Sequence, residues 1–187
     1  MATSDTQEQI LDAVQSVIVR DGVRGASMRQ VAEEADVSLG LLSYHFEGKE
    51  SLILAAFDRA TTRLLEASVE AAAAMEDPDE RVRAFLRGSY TEEFLDGDYL
   101  RLRVSLWAVS LTDEDLAKID ASYYDDYAAA LRKLIGEARP ALSASEVAER
   151  SFDVVAMGNG LWLDWARFQH DASLERGLVR CEEIALA

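Results

Sequence analysis

The chain has 187 residues, 49% of them apolar, which is enough to build one compact domain or a small head on a larger body. Two histidines and a single cysteine, Cys181, exclude an internal disulfide, a His cluster and a Cys-based metal site. No apolar run approaches about 18 residues and no signal-like segment opens the chain, so a soluble, cytoplasmic protein with no membrane contact is expected.

The formal charge is −16, from 35 carboxylates against 19 Lys and Arg, and Lys49, Lys118 and Lys133 are the only lysines. Two readings of that surface stay open. One is an ordinary acidic surface that aids solubility. The other is adaptation to a salty cytoplasm, where at about 1 M salt the Debye length falls to about 3 Å and like charges cease to repel at a distance.

Taken in order, residues 1–5 read as frayed. A first helix is predicted over 6–20, with Ile10, Val14, Val17 and Ile18 on one side and Gly22 ending it. Ser27 caps a second helix and Gln30 stands three residues on, where a capping box places its Glu or Gln. Met28, Val31, Ala32 and Ala35 give that helix its apolar stripe, and Asp36-Val37 makes a turn. Ser38 caps a short third helix to about Phe46, with Leu41, Leu42 and Phe46 facing inward. Ser38, Leu39, Ser43, Tyr44 and His45 are left outward. Two short helices at a steep angle, the second offering small polar side chains, is the helix-turn-helix arrangement that fits a DNA major groove.

Helix four is predicted from about Lys49 to about Met75, with Leu52, Ala56, Ala60 and Leu64 at helical spacing. Asp77-Pro78-Asp79-Glu80 breaks and restarts the chain, with Asp77 as cap and Pro78 in the first turn. The rest reads helical throughout. Val82, Phe85, Leu86 and Ser89 form one stripe, and a helix carrying Leu100, Val104, Trp107, Ala108 and Leu111 follows Asp96-Gly97-Asp98. Thr112 is read as the cap of the next, Tyr-rich helix, which Arg139-Pro140 stops. Ser143 with Glu146 opens another, and a last helix spans 174–186. With no alternating pattern, repeat or low-complexity tract, the fold class is all-α. A helix-turn-helix domain over 1–50 is expected, with a larger helical ligand-binding and dimerisation domain over 51–187, helix four being shared.

The segment from Gln9 to Phe57 resembles the N-terminal domain of the TetR family of transcriptional repressors. Ile10, Ala13, Gly22, Ser27, Val31, Ala32 and Ala35 carry the likeness, followed by Val37-Ser38, Gly40, Leu42, Tyr44-His45-Phe46, Lys49-Glu50 and Leu52. Asp36 departs from the family's usual Gly at a left-handed turn, and Ser43 stands where many members carry a phosphate-contacting Tyr. Ser43 is instead similar to the BetI-type subgroup, repressors that respond to choline. Trp107, the Tyr-rich helix and Gly160-Leu161-Trp162-Leu163 resemble the C-terminal domain of that subgroup, more loosely.

The resemblance implies a dimeric repressor that a small molecule releases from a pseudo-palindromic DNA operator. Phosphate contacts are expected from Ser27, Arg29, Gln30 and Lys49, and groove contacts from Ser38, Leu39, Gly40, Ser43, Tyr44 and His45. Ser27 and Ser38 can also be caps alone, and His45 can pack against the first helix. With no Asn, Gln, Arg or Lys on the third helix, bidentate base readers are missing, which leaves thymine methyls and DNA shape.

Tyr90, Phe94, Trp107, Tyr123, Tyr127 and Trp162 are candidates for an effector site, with Glu93, Asp126, Asn159 and Asp164 near them in sequence. Aromatic faces with a carboxylate suit a quaternary ammonium such as choline, although aromatics at helical spacing are more often core. Val154, Leu161, Trp165 and Phe168 form a stripe suited to a homodimer interface, or to monomer core. Two other readings remain. One is an efflux-pump regulator of the same family with a lipophilic effector. The other is an acidic helical module that has lost DNA binding, because residues 1–50 hold four cations, Arg20, Arg24, Arg29 and Lys49, against nine carboxylates.

A salt-adapted surface predicts that the unfolding temperature rises as KCl is raised from about 0.1 M to about 2 M. Thermal melts across that series check it, and full stability at the low end leaves the ordinary acidic surface.

Overall fold

The structure, a computed structural model, describes the backbone of residues 2–187 and the side chains from Asp5 onward. Among the described residues there are nine helices and no strand: α1 Ala2–Gly25, α2 Met28–Glu34, α3 Leu39–His45, α4 Lys49–Ala73, α5 Pro78–Gly88, α6 Gly97–Ser110, α7 Glu114–Ala138, α8 Ala144–Phe168 and α9 Asp171–Leu186. The all-α expectation holds. Met1, part of the stretch expected to fray, lies outside the described residues, and helix begins at Ala2.

Local chemistry sets most of the boundaries. Gly22 takes φ 73°, ψ 164°, so it breaks the helical path within α1, and the backbone resumes a helical turn to Gly25. Ser27 and Ser38 cap α2 and α3, each side chain accepting an N–H three residues on, from Gln30 and Leu41. Between them Asp36 sits in the left-handed region at φ 50°, a conformation that a short polar side chain tolerates. Asp77 accepts from the backbone N–H groups of Asp79 and Glu80 and starts α5. Ser143 and Glu146 form a full capping box at the start of α8. The cap of α7 is Asp113 rather than Thr112: its carboxylate accepts from the N–H groups of Asp115 and Leu116. The Thr112 hydroxyl instead donates back to the Val109 carbonyl. A charged acceptor suits the positive end of a helix better than a hydroxyl does.

Two compact units emerge. Unit 1 comprises Met1–Thr61 and Arg101–Ala121, and unit 2 comprises Thr62–Leu100 and Ser122–Ala187. The division falls inside α4, later than residue 50, and residues 101–121 fall with the head. In unit 1, Ile10, Val14, Val17, Val31, Leu42, Leu52, Ala56 and Phe57 are buried, with α1 packed on α2 and α2 on α3. Arg59 of α4 ties back to α1, reaching the Glu8 and Asp12 carboxylates at 2.9 and 2.7 Å.

The core of unit 2 is built on Val82, Phe85 and Leu86 of α5, Leu131, Leu134 and Ile135 of α7, Val154 and Val155 of α8, and Cys181 and Ala185 of α9. Burial pushes the Cys181 thiol up to about 11, which leaves it a neutral packing group. Arg87 on α5 clamps α9, donating to both Glu175 oxygens at 2.8 and 2.9 Å and to Glu182 at 2.6 Å. Those carboxylates hold its guanidinium protonated well beyond the usual range. Arg139 closes the end of α7 by donating to Asp79 and to the Leu186 carbonyl.

Gly88 lies where α5 meets α4. A Cβ there would stand 2.7 Å from the Ser68 Cα and 3.0 Å from the Ala67 carbonyl oxygen, both rigid backbone. Gly88→Ala is expected to lower stability by about 1–3 kcal/mol, because overpacking outweighs the gain in helix propensity of about 1 kcal/mol. Urea unfolding checks this, and a stabilised variant would contradict the close approach.

Candidate nucleic-acid interface and effector site

The head exposes one short helix. On α3, Leu42 is 0% exposed and the following Phe46 6%, so the helix is pinned by two large side chains. Its other side is open: Tyr44 is 80% exposed, and Leu39, Gly40 and Ser43 are exposed with it. Leu41, expected inward, is itself exposed. With Leu42 directed into the core, its chain neighbour lies about 100° round a seven-residue helix and misses it. His45 is half-buried and meets the Tyr44 ring edge-on at 5.3 Å.

The expected phosphate contacts are all engaged within the head. Ser27 is the α2 cap, and its hydroxyl also donates to the Gln30 side-chain oxygen at 2.7 Å. Gln30 donates to Asp21, and Arg29 pairs with Glu33 one turn on at 3.0 Å. The Lys49 ammonium donates to the Arg24 carbonyl at 2.9 Å and links the start of α4 to the end of α1. These pairs are on or near the surface, where an ion pair is worth about 0–1 kcal/mol, so exchange for another anion costs little.

In unit 2, four rings follow one another in contact, the first pair edge-on and the next two tilted. Phe94 meets Tyr99 at 5.1 Å, Tyr99 meets Trp162 at 5.9 Å, and Trp162 meets Tyr90 at 5.6 Å. The Tyr90 hydroxyl donates to the Gly158 carbonyl at 2.9 Å, and a Cβ at Gly158 would stand 3.0 Å from the Tyr90 hydroxyl oxygen. Tyr127 contacts Tyr123 at 6.1 Å on one side and the core ring of Phe85 at 4.7 Å on the other. Burial holds the Tyr90 and Tyr127 phenols well above their ordinary range, so both stay neutral.

Five of the six expected effector residues thus belong to unit 2, joined by Tyr99, which sequence reasoning passed over. Its signal was the aromatic beside Asp98 at the start of α6. Trp107 belongs instead to unit 1, where the buried Arg103 guanidinium lies 5.1 Å from its ring centre. Of the acids near these rings in sequence, Glu93 is tied to Arg63, while Asp126 and Asp164 are exposed, as is Asn159.

The stripe expected to pair two chains divides. Val154 packs into the core of unit 2 and offers no outer face. Leu161 packs against the same core and against Gly177, and the Trp165 indole donates to the Leu95 carbonyl at 3.3 Å. Phe168 alone of the four is exposed. A second stripe, Phe152, Ala156, Gly160 and Leu163, recurs at spacings of four and three about half a turn away and is exposed throughout, with Phe152 at 64%. A helix apolar on two sides shows only its stronger stripe to a periodicity reading.

Comparison with known proteins bears on both units. Residues 10–56 match the family described as bacterial regulatory proteins, tetR family. Residues 78–185, more than half the chain, match the C-terminal region of BetI-type transcriptional repressors. The HTH-type transcriptional regulator BetI of Stenotrophomonas maltophilia is 26% identical over 162 residues, covering 84% of this chain and 79% of that protein. A regulator structure from Pseudomonas aeruginosa PAO1 has the same fold, with TM-score 0.86 at 24% identity over 98% of this chain and 90% of that one. So does a regulator from Saccharomonospora viridis solved in complex with choline, with TM-score 0.77 at 17% identity over 96% and 95% of the two chains. The chain belongs to the TetR family of transcriptional regulators, with a C-terminal region of the BetI type.

Proposed function

We propose that this regulator is a homodimeric repressor that binds a two-fold operator through α3 and leaves it when a quaternary ammonium compound such as choline occupies unit 2. The observation that carries the DNA reading is the split of α3 into a buried side, Leu42, and an open one, Leu39, Gly40, Ser43 and Tyr44. The absence of a side chain at Gly40 lets the backbone approach the groove, and Leu39 and Tyr44 offer apolar surface to thymine methyls. Ser38 and His45 flank that surface. Ser27, Arg29, Gln30 and Lys49 serve the phosphates by exchanging their internal partners for phosphate oxygens.

The effector reading rests on the neutral array of Tyr90, Phe94, Tyr99 and Trp162, with Tyr123 and Tyr127 beside the core, and on the choline bound by the Saccharomonospora viridis relative. Neutral rings attract a quaternary ammonium through their faces, and no titratable partner is needed. Three continuous helices, α4, α6 and α7, have residues in both units, so each is a covalent route from effector to head. A hundredfold change in DNA affinity requires about 2.7 kcal/mol of such coupling. For the dimer, the exposed Phe152–Leu163 stripe with Phe168 and Val179 is the apolar surface that a second copy would cover.

Fluorescence anisotropy with the DNA upstream of the chain's own gene, at low and high KCl, tests the assignment. Choline is expected to release the complex, and no binding at either salt leaves an acidic module without DNA activity. Tyr44→Ala is expected to weaken binding at least about tenfold, as losing one good base contact does, with the melting temperature unchanged. Leu42→Ala is expected instead to destabilise the fold by about 2–5 kcal/mol.

Leu163→Glu places a charge in the centre of the proposed dimer surface. It is expected to yield monomers by light scattering, with operator binding lost. A dimer that survives this change would return the interface to another face.

A further inference from the structure

Unit 1 contains a recess of its own. It is a cleft of about 640 Å³ between the end of α1, the first turns of α4 and the corner where α6 passes into α7. That size suits a drug-sized molecule. Its apolar lining comes from Val23, Ile53 and Leu116, all buried, with Leu54 and Val109 half-buried beside them. Its charges are Glu50, Asp113 and Asp115 against Arg24 and Lys49.

These five charges are not equally available. The Lys49 ammonium is held by the Arg24 carbonyl. Asp113 accepts from two backbone amides at the start of α7, and Asp115 is paired with Lys118 at 2.6 Å. Glu50 and Arg24 have no ion pair among the described residues, so one charge of each sign is left at the opening. The wider field then decides between a cation and an anion. Carboxylates outnumber cations at the cleft itself, and the whole chain carries −16. An incoming cation is drawn toward this surface and an anion repelled.

We infer that this cleft is a binding site for an apolar organic cation, with the apolar body on Val23, Ile53 and Leu116 and the charge at Glu50. The site is independent of the Tyr90–Trp162 array and does not require the DNA reading to hold. It places a small molecule beside Lys49 and the first turn of α4, within the unit that carries α3.

The isosteric ions tetraphenylphosphonium and tetraphenylborate separate charge from shape. Isothermal titration on the full chain without DNA is expected to show the phosphonium binding at least tenfold more tightly than the borate. Ala108→Trp, which fills the cleft from α6, is expected to abolish that binding. Glu50→Gln, an exposed change that spares the fold, is expected to weaken it about fivefold, the scale of one solvent-facing charge contact. Trp162→Ala, in unit 2, is expected to leave it unchanged. Equal affinity for the two ions would overturn the assignment, as would phosphonium binding that survives both Ala108→Trp and Glu50→Gln or that disappears with Trp162→Ala. Because DNA takes no part in the titration, failure of the operator assignment cannot be mistaken for failure here.

Discussion

The head depends on the burial of two side chains, Leu42 and Phe46. Helix α3 has seven residues, about two turns, and an isolated helix of that length does not hold its shape in water. Ser38 closes its first turn, but a cap contributes only about 1 kcal/mol. Seating Leu42 and Phe46 in the unit 1 core supplies the remaining stabilisation and fixes the helix about its own axis. That rotation puts Leu39, Gly40, Ser43 and Tyr44 outward together. The left-handed turn at Asp36 brings the chain into position for it without a glycine.

The acidic surface changes how such a head can meet a polyanion. Arg20, Arg29 and Arg59 are each paired with carboxylates of the same unit, and Lys49 is held by a backbone carbonyl. On the DNA reading proposed above, a phosphate that reaches one of these cations replaces an internal partner rather than a free counterion, whereas Arg24 has no ion pair among the described residues. Ordinary protein–DNA complexes weaken steeply with salt because phosphate contacts release counterions. Here added salt also screens the nine carboxylates of residues 1–50 from the duplex, and the two effects oppose each other. On that same reading the salt dependence of operator binding is shallow.

Unit 2 spends its aromatic residues in two ways. Phe85 and Tyr127 pack into the core with Leu131 and Ile135, while Phe94, Tyr99, Trp162 and Tyr90 hold one another ring to ring. The Tyr90–Gly158 and Trp165–Leu95 hydrogen bonds fix α8 to the segment that follows α5. Around this, Arg87 and Arg139 bind α5 and α7 to α9 and to the chain end through multiple charge-assisted hydrogen bonds. The cation cleft in unit 1 and the ring array in unit 2 therefore differ in chemistry: one offers carboxylates at the edge of an apolar hollow, the other neutral ring faces.

Sequence alone determined the helices, their caps at Ser27, Ser38, Asp77 and Ser143, and the family, because these depend on residues three or four apart and on fixed motif spacing. It misjudged the features that a neighbour in space decides. Leu41 turned outward because Leu42 took the inward place, and Asp113 displaced Thr112 as the cap of α7. On α8 the periodic signal led to Val154, which the core claims, and passed over Phe152 and Leu163 on the opposite side. Trp107, grouped with Trp162 in sequence reasoning, falls in unit 1, where Arg103 lies over its ring. Helical periodicity tells which residues share a side of a helix, but only packing against the other helices decides which of two apolar sides is buried and which rings share one site.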